Sequence, residues 1–292
     1  MEKIIECPVC GSNLLTDHFS TKDYFLTQEN FSLSLCKECG FVLTNPRPSA
    51  EELPKYYNSE NYLSHHAKGF SPTRWVYQFL RQINIHHKYS LVKSFIRQGS
   101  LLDVGCGTGE LLNYFRKKGW EVQGVEPNPQ ARLFGKQSYN LSVEDERMLQ
   151  SYPPSSFDVI SLWHVLEHVP DLNQRIVDLK KLLKPNGLLF IALPNLTSPD
   201  AQYYGSIWAG LDVPRHLYHF TPNTVLRLAS QHSLSLIKSF PMKMDAYYVS
   251  LLSEQYKGSC CAFLRASIRG KLSNSQARKS NQYSSMIYVL RK

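Results

Sequence analysis

The chain has 292 residues, 42% of them hydrophobic and 20% charged, enough to bury the core of one large domain with or without a small attachment. No apolar run approaches the roughly 20 residues of a membrane span. The N-terminal Met1-Glu2-Lys3-Ile4-Ile5-Glu6-Cys7 lacks the apolar stretch of a secretion signal, so a cytoplasmic location is expected. The formal charge of +9 is uneven. Of the 33 Lys and Arg, eight (Lys257, Arg265, Arg269, Lys271, Arg278, Lys279, Arg291, Lys292) follow Glu254, after which there is no Asp or Glu. The first 256 residues keep 25 basic side chains against 24 acidic ones. A distributed basic face for tracking nucleic-acid phosphates is therefore not supported; a local basic segment is.

Cys7-Pro8-Val9-Cys10-Gly11 and Cys36-Lys37-Glu38-Cys39-Gly40 are two Cys-x-x-Cys knuckles, each followed by glycine. Four thiolates in two such pairs suit one tetrahedral zinc ion, and the glycines ease the turns that aim backbone amides at the sulfurs. In a cytoplasmic chain a disulfide is the weaker explanation. With Cys7, Cys10, Cys36 and Cys39 all supplied by protein, the site is closed and structural. Between the knuckles, Tyr24-Phe25-Leu26 and Phe31-Ser32-Leu33-Ser34-Leu35 read as short strands of a ribbon occupying residues 1–48.

Thr44-Asn45-Pro46-Arg47-Pro48-Ser49 is a proline-rich exit, and Ser49 with Glu52 three residues on is a capping-box signal. Tyr57 and Tyr62 suit either a ligand mouth or packing between modules. Trp75, Phe79, Ile83, Leu91 and Phe95 mark one or two amphipathic helices that complete a linker over residues 49–98.

Leu101-Leu102-Asp103-Val104-Gly105-Cys106-Gly107-Thr108-Gly109-Glu110 carries an apolar run into an acidic residue and then three alternate glycines. Leu111, Leu112, Tyr114 and Phe115 follow at helical spacing. This is a strand, a tight turn and a helix N-terminus, the usual nucleotide pocket of an open α/β sheet. The third glycine falls one residue earlier than in the dinucleotide fingerprint. About 20 residues on, Val122-Gln123-Gly124-Val125-Glu126 reads as a second strand whose terminal carboxylate suits ribose hydroxyls.

On these residues the chain resembles the class I S-adenosylmethionine-dependent methyltransferases. The resemblance implies an α/β fold, a Rossmann-like seven-stranded sheet with helices on both faces, over residues 99–292. It also implies that Asp103, Gly105, Cys106, Gly107, Gly109 and Glu126 hold S-adenosylmethionine. A helix ahead of the first strand is expected to cover the cofactor's methionine end.

A helix is predicted over 109–118, a strand over 121–125, a helix over 129–137 and a short strand over 141–143. One carboxylate of Glu144-Asp145-Glu146, with Asp145 foremost, suits the adenine amino group; a solvated loop is the alternative. A fourth strand over 156–163 ends at Trp163, and His164-Val165-Leu166-Glu167-His168-Val169-Pro170 follows at the sheet's carboxyl end, where ligands bind. Trp163 and His164 are placed in the pocket, whereas His168 better suits a cap or core role. A helix over 171–183 stops at a Lys184-Pro185-Asn186-Gly187 turn, and 188–193 is a fully apolar strand. The loop Asp212-Val213-Pro214-Arg215-His216-Leu217-Tyr218-His219-Phe220-Thr221 leads to a helix over 222–232 capped by Thr221. Strands over 234–240 and 285–290 finish the sheet, with a long gap between them. In that gap, Cys260-Cys261-Ala262-Phe263-Leu264-Arg265 reads as a surface loop in preference to a contact with an anionic membrane.

The run from Phe157 to Val169 is similar to methyltransferases acting on quinols, small metabolites and sugars. The zinc module and the 212–221 loop together look, more loosely, like zinc-containing sugar C-methyltransferases. There a Glu-His pair carries the base; here Arg215-His216 occupies that place, a departure. The expected activity is methyl transfer from S-adenosylmethionine to an oxygen or carbon of a small acceptor of quinol, phenol or nucleotide-sugar class. His216 is the favoured base, with His219 and His164 the other candidates. The alternatives are a zinc-ribbon RNA methyltransferase and a non-catalytic module that binds S-adenosylmethionine and zinc.

Overall fold

Two β-sheets organise the chain, one of four strands and one of seven. The structure is a computed structural model that describes residues 1–57 and 72–292, the side chains of 72–80 excepted. Tyr62, Trp75 and Phe79 lie outside those described side chains. Two compact units interleave along the sequence. One comprises Met1–Tyr62, His164–Arg175 and Ile191–Leu290, and the other Leu63–Trp163, Ile176–Phe190 and Arg291–Lys292.

The seven-stranded sheet contains β4 (Ser100–Val104), β5 (Glu121–Val125), β6 (Val143–Glu144), β7 (Phe157–Trp163), β8 (Leu183–Pro194), β10 (Ser235–Pro241) and β11 (Ser285–Arg291), in the order β10-β11-β8-β7-β4-β5-β6. Pairings β4–β5, β4–β7 and β5–β6 are parallel. Every residue of β4 is buried, as a strand covered on both faces requires. The predicted turn at 184–187 is instead the start of β8. The strand passes through Asn186 at φ +65°, a conformation that asparagine tolerates better than most residues.

Around β4 to β7 lie α1 (Pro72–Lys93), α2 (Glu110–Lys117) and α3 (Pro129–Tyr139). Helix α1 packs on α2, where Tyr89 meets Tyr114 and Phe115 edge-on. Helix α3 begins as its residues dictate. Asn128 accepts from the amides of Gln130 and Ala131, and Pro129 supplies the first turn.

In the other unit, β1 (Leu15–Lys22), β2 (Asn30–Cys36) and β3 (Val42–Thr44) form an antiparallel ribbon, and β9 (Tyr218–His219) pairs with β3 as its fourth strand. Tyr24-Phe25-Leu26, expected as a strand, is a turn. The Asp23 carboxylate accepts from the amides of Phe25, Leu26 and Thr27 and so supplies the bonds a ladder would have made. Glu52 closes half of the expected capping box by accepting from Ser49 N–H (3.0 Å), but only a 3-10 turn, Leu53–Tyr56, follows. The core of this unit joins Phe31, Leu33, Val42 and Tyr56 to Tyr204, Trp208, Leu211 and Val213.

The remaining helices are α4 (Leu172–Leu182), α5 (Pro199–Tyr204), α6 (Pro222–Gln231), α7 (Asp245–Tyr256) and α8 (Ala262–Ser280). Thr221 caps α6 through a reciprocal box with Thr224. The surface loop predicted around Cys260 is largely helix α8, which packs along α7. Its small residues Ala266, Gly270, Ser273 and Ala277 face inward, and a Cβ at Gly270 would sit 2.6 Å from Tyr247 Cδ1. Small side chains with a low apolar moment gave periodicity nothing to register. No described helix is long and apolar enough to cross a membrane.

Candidate active site

The first set of candidate residues surrounds the turn after β4. Gly105, Gly107 and Gly109 stand at φ +67°, +54° and +77°, a backbone that side chains resist. Gly105 N–H and Cys106 N–H donate to Val125 O, and Gly107 N–H donates to Glu126 Oε2 (2.9 Å). Glu126 Oε1 accepts from Asn128 N–H (3.0 Å). Each carboxylate oxygen keeps a lone pair for a further donor. Burial raises the Glu126 pKa. Asp103 is buried, accepts from Ser161 Oγ (2.5 Å), and is pushed up by that burial to about 6.

Helix α1 leans on this turn. Arg81 Nε pairs with Glu110 at 2.5 Å, and Lys88 Nζ lies 4.4 Å from the Trp163 ring centroid. The Trp163 indole nitrogen is buried without a hydrogen-bond partner among the described residues. A Cβ at Gly107 would meet nothing within 4 Å. An orphaned donor, open space over a glycine turn and spare carboxylate capacity suit a nucleoside carrying hydroxyls and amino groups. The Cys106 side chain packs toward Gly124, where an added Cβ would sit 2.7 Å from its sulfur, so Cys106 faces the turn through backbone alone. Asp145 caps the next turn and pairs with Arg147 (2.8 Å) and Arg132 (3.2 Å); the Arg147 bonds hold it down at about 2.

The second set begins one residue later, at His164, and belongs to the other unit. Glu167 is fully buried, and neither carboxylate oxygen has a hydrogen bond among the described residues. His164 Nδ1 lies 3.4 Å and His216 Nε2 4.0 Å from Glu167 Oε1. His164 Nε2 is 3.1 Å from Asp245 Oδ2. Burial opposes charge on His164, but Asp245 and Glu167 outweigh it and raise its pKa to about 9. The His168 and His216 rings meet edge-on at 4.6 Å. Burial and the neighbouring His216 push His168 down to about 4.

His219 stands apart from this group in role. It is buried on β9, its Nε2 is 3.0 Å from Thr44 Oγ1, and burial pushes it down to about 3. Arg215, which the resemblance to sugar enzymes would have as glutamate, is a buried clamp bonded to Asp23 (2.8 Å) and Asp212 (2.7 Å). The carboxylate beside His216 comes instead from Glu167. Sequence reasoning passed over Glu167, although an acid between Leu166 and Val169, flanked by two histidines, was a usable signal. It also placed His168 in a capping or core role, whereas the fold sets that ring against His216.

The four ribbon cysteines converge. Their sulfurs lie within 4.8 Å of one another, with Cys7–Cys39 and Cys10–Cys36 each 3.5 Å. Sulfurs bound about 2.3 Å from one tetrahedral ion would be roughly 3.8 Å apart, so the spacing fits. Gly11 and Gly40 complete the knuckles at φ +72° and +74°, donating to Cys7 O and Cys36 O.

Comparison with known proteins follows this geometry. The chain is 36% identical over 113 residues to the ubiquinone biosynthesis O-methyltransferase of Histophilus somni, covering 35% of this chain and 48% of that one. It is 35% identical over 133 residues to the protein of the same name from Xanthomonas oryzae pv. oryzae, covering 41% and 54%. The chain thus spans about half the length of these relatives. Among solved structures, the Burkholderia thailandensis 1,6-didemethyltoxoflavin-N1-methyltransferase, with bound 1,6-didemethyltoxoflavin and S-adenosylhomocysteine, superposes with a TM-score of 0.51. At 16% identity, over 88% of this chain and 97% of that one, it shares the fold. Residues 77–239, more than half of the chain, from within α1 through β7 and α6 into β10, match the family model described as a methyltransferase domain; the chain belongs to that family.

Proposed function

We propose that the protein transfers the methyl group of S-adenosylmethionine to a hydroxyl oxygen of a small-molecule acceptor of the quinol, phenol or nucleotide-sugar class. The observation that carries this reading is the Glu167–His168–His216 group, in which Glu167 and His216 are buried and the Glu167 carboxylate lacks a hydrogen bond among the described residues. Its setting is a family whose 35–36% identical relatives are named O-methyltransferases. S-adenosylmethionine supplies an electrophilic methyl on a sulfonium, and S-adenosylhomocysteine leaves. The acceptor oxygen attacks the methyl carbon opposite sulfur, the carbon–sulfur bond breaks, and the hydroxyl proton is lost.

For this chain's residues the reading assigns Glu126 to the ribose hydroxyls and Asp145 to the adenine amino group. The amides of Gly105, Cys106, Gly107 and Gly109 line the turn. Asp103 and Trp163 frame the methionine portion, and α1 covers it. Holding donor and acceptor in line is worth about 7–11 kcal/mol of the barrier. His216 promotes loss of the acceptor proton, supported by Glu167. His164, already held as a cation by two carboxylates, orients Glu167, and His219 supports the loop through Thr44. Cys7, Cys10, Cys36 and Cys39 hold a structural zinc ion.

The test is release of S-adenosylhomocysteine across panels of quinols, phenols and nucleotide sugars. On the accepted substrate His216→Ala is expected to lower kcat by about 10²–10⁴. Undiminished turnover by that variant would remove His216 from the chemistry, and silence across the panel at saturating donor would remove the acceptor class.

A further inference from the structure

We propose that Glu167, His168 and His216 form a second metal site, separate from the ribbon, that takes a divalent cation of the zinc, cobalt or ferrous class and leaves a coordination position open. One ligand atom from each residue lies within 4.8 Å of the others. All three residues sit within one compact unit.

The hydrogen bonds around the two histidines give the first argument. His216 Nδ1 is 3.0 Å from Gly210 O, and His168 Nδ1 is 3.0 Å from both Arg215 O and the Tyr57 hydroxyl, which accepts when Nδ1–H donates to the carbonyl. A carbonyl can only accept, so each Nδ1 carries a proton and each Nε2 is the ring nitrogen left to bind an ion. This is the arrangement that metal-ligating histidines use, with the distal N–H anchored on backbone so that ring orientation and tautomer are set.

The second argument is the carboxylate. Glu167 is fully buried with no hydrogen bond to either oxygen among the described residues, a costly state for an acceptor-only group. Its Oε1 is 4.0 Å from His216 Nε2, beyond hydrogen-bonding distance, so neither atom satisfies the other. His164 Nδ1 lies 3.4 Å from the same oxygen, and His164 is shared with Asp245. A divalent ion in the group satisfies the carboxylate and both imidazoles together.

Ligands about 2.0–2.1 Å from an ion stand roughly 3.4 Å apart in a tetrahedron. From a spacing within 4.8 Å, the ligand atoms would draw together by up to about 1.4 Å. Two imidazoles and one carboxylate favour borderline divalent ions over magnesium or calcium. Three protein ligands mark an open site, unlike the closed four-cysteine ribbon. An acceptor hydroxyl in the open position loses its proton to solvent more readily, which is how His216 would act; that use rests on the function proposed above, whereas binding of the ion does not.

The experiment titrates the metal-free full chain with Co²⁺ and, in parallel, measures zinc content after equilibration with Zn²⁺. Two equivalents are expected. One shows the intense thiolate-to-cobalt charge-transfer band of the ribbon, and the other only weak visible bands without that signature. Glu167→Gln, His168→Ala and His216→Ala should each weaken the second equivalent at least 100-fold while keeping the thiolate band, which also reports that the variant is folded. One equivalent in the wild type, or a second that persists in all three variants, overturns the proposal. Methyl transfer is assayed on the same samples. Turnover with a single equivalent would leave the function standing and the metal site refuted. Two equivalents without turnover on any hydroxyl acceptor would do the reverse.

Discussion

His164 adopts φ +59°, a left-handed conformation that costs a side-chain-bearing residue about 1–2 kcal/mol. Its amide donates to Ala192 O, and its ring lies between Glu167 and Asp245. The sign of its pH effect follows. The pKa rises from about 6.5 unfolded to about 9 folded. The folded chain thus binds the extra proton between those values. This contribution to stability is complete below about pH 6.5 and is lost as pH climbs through 9. His168 and His219 run the other way, held down to about 4 and 3, so they weaken the fold as pH falls below their unfolded value. Urea unfolding of the wild type should lose stability between pH 6.5 and 9.5, and His164→Gln should flatten that limb; equal slopes would show that His164 is not charged in the folded protein. The pair Glu167 and His168 was poorly legible in sequence because burial, not residue type, gives a carboxylate without hydrogen bonds its meaning. The glycines at 105, 107 and 109 were legible because their backbone conformation leaves almost no other residue acceptable.

Among the elements, β9 changes the meaning of the ribbon. Val42 pairs with His219 and Leu43 with Tyr218, while Thr44 Oγ1 donates to His216 O (2.8 Å). The histidine loop is therefore an extension of the four-cysteine module's own sheet. Arg215 locks the same loop to the Asp23 turn, both side chains being buried. Removing the guanidinium would leave Asp23 charged and only partly satisfied, so Arg215→Ala should cost about 3–5 kcal/mol in chemical unfolding. Arg215→Lys should recover little, because one ammonium cannot reproduce the fork to Asp23 and Asp212. A loss below about 1 kcal/mol would show that Arg215 does not hold the loop. In the sequence, Arg215 stands out only as a departure from the pattern of the zinc-containing sugar C-methyltransferases. Its partner Asp23 lies 192 positions away, beyond the reach of spacing or periodicity.

For the whole molecule, a metal ion held by the four ribbon cysteines would stabilise the histidine loop as well as the knuckles. Cys10→Ser removes one exposed sulfur and leaves Glu167, His168 and His216 in place. A loss of about 3 kcal/mol would lower Tm by roughly 5 °C at this size. Amide exchange should then rise at Tyr218 and His219 as well as at the knuckles. Unchanged protection on β9 would separate the loop from the metal.

Most of the fold was determined by local chemistry. Alternate glycines between an apolar strand and a helix, carboxylates at strand ends, and paired cysteines all act within a few residues, so the methyltransferase sheet and the ribbon cysteines were readable in order. Tertiary structure alone decided that the ribbon lends its sheet to the 218–219 strand and that a buried glutamate from the 164–170 segment meets two histidines. It also decided that the basic tail packs as a helix on small side chains. These depend on pairings between residues far apart in the chain, where position in three dimensions, rather than residue type and spacing, sets charge, burial and role.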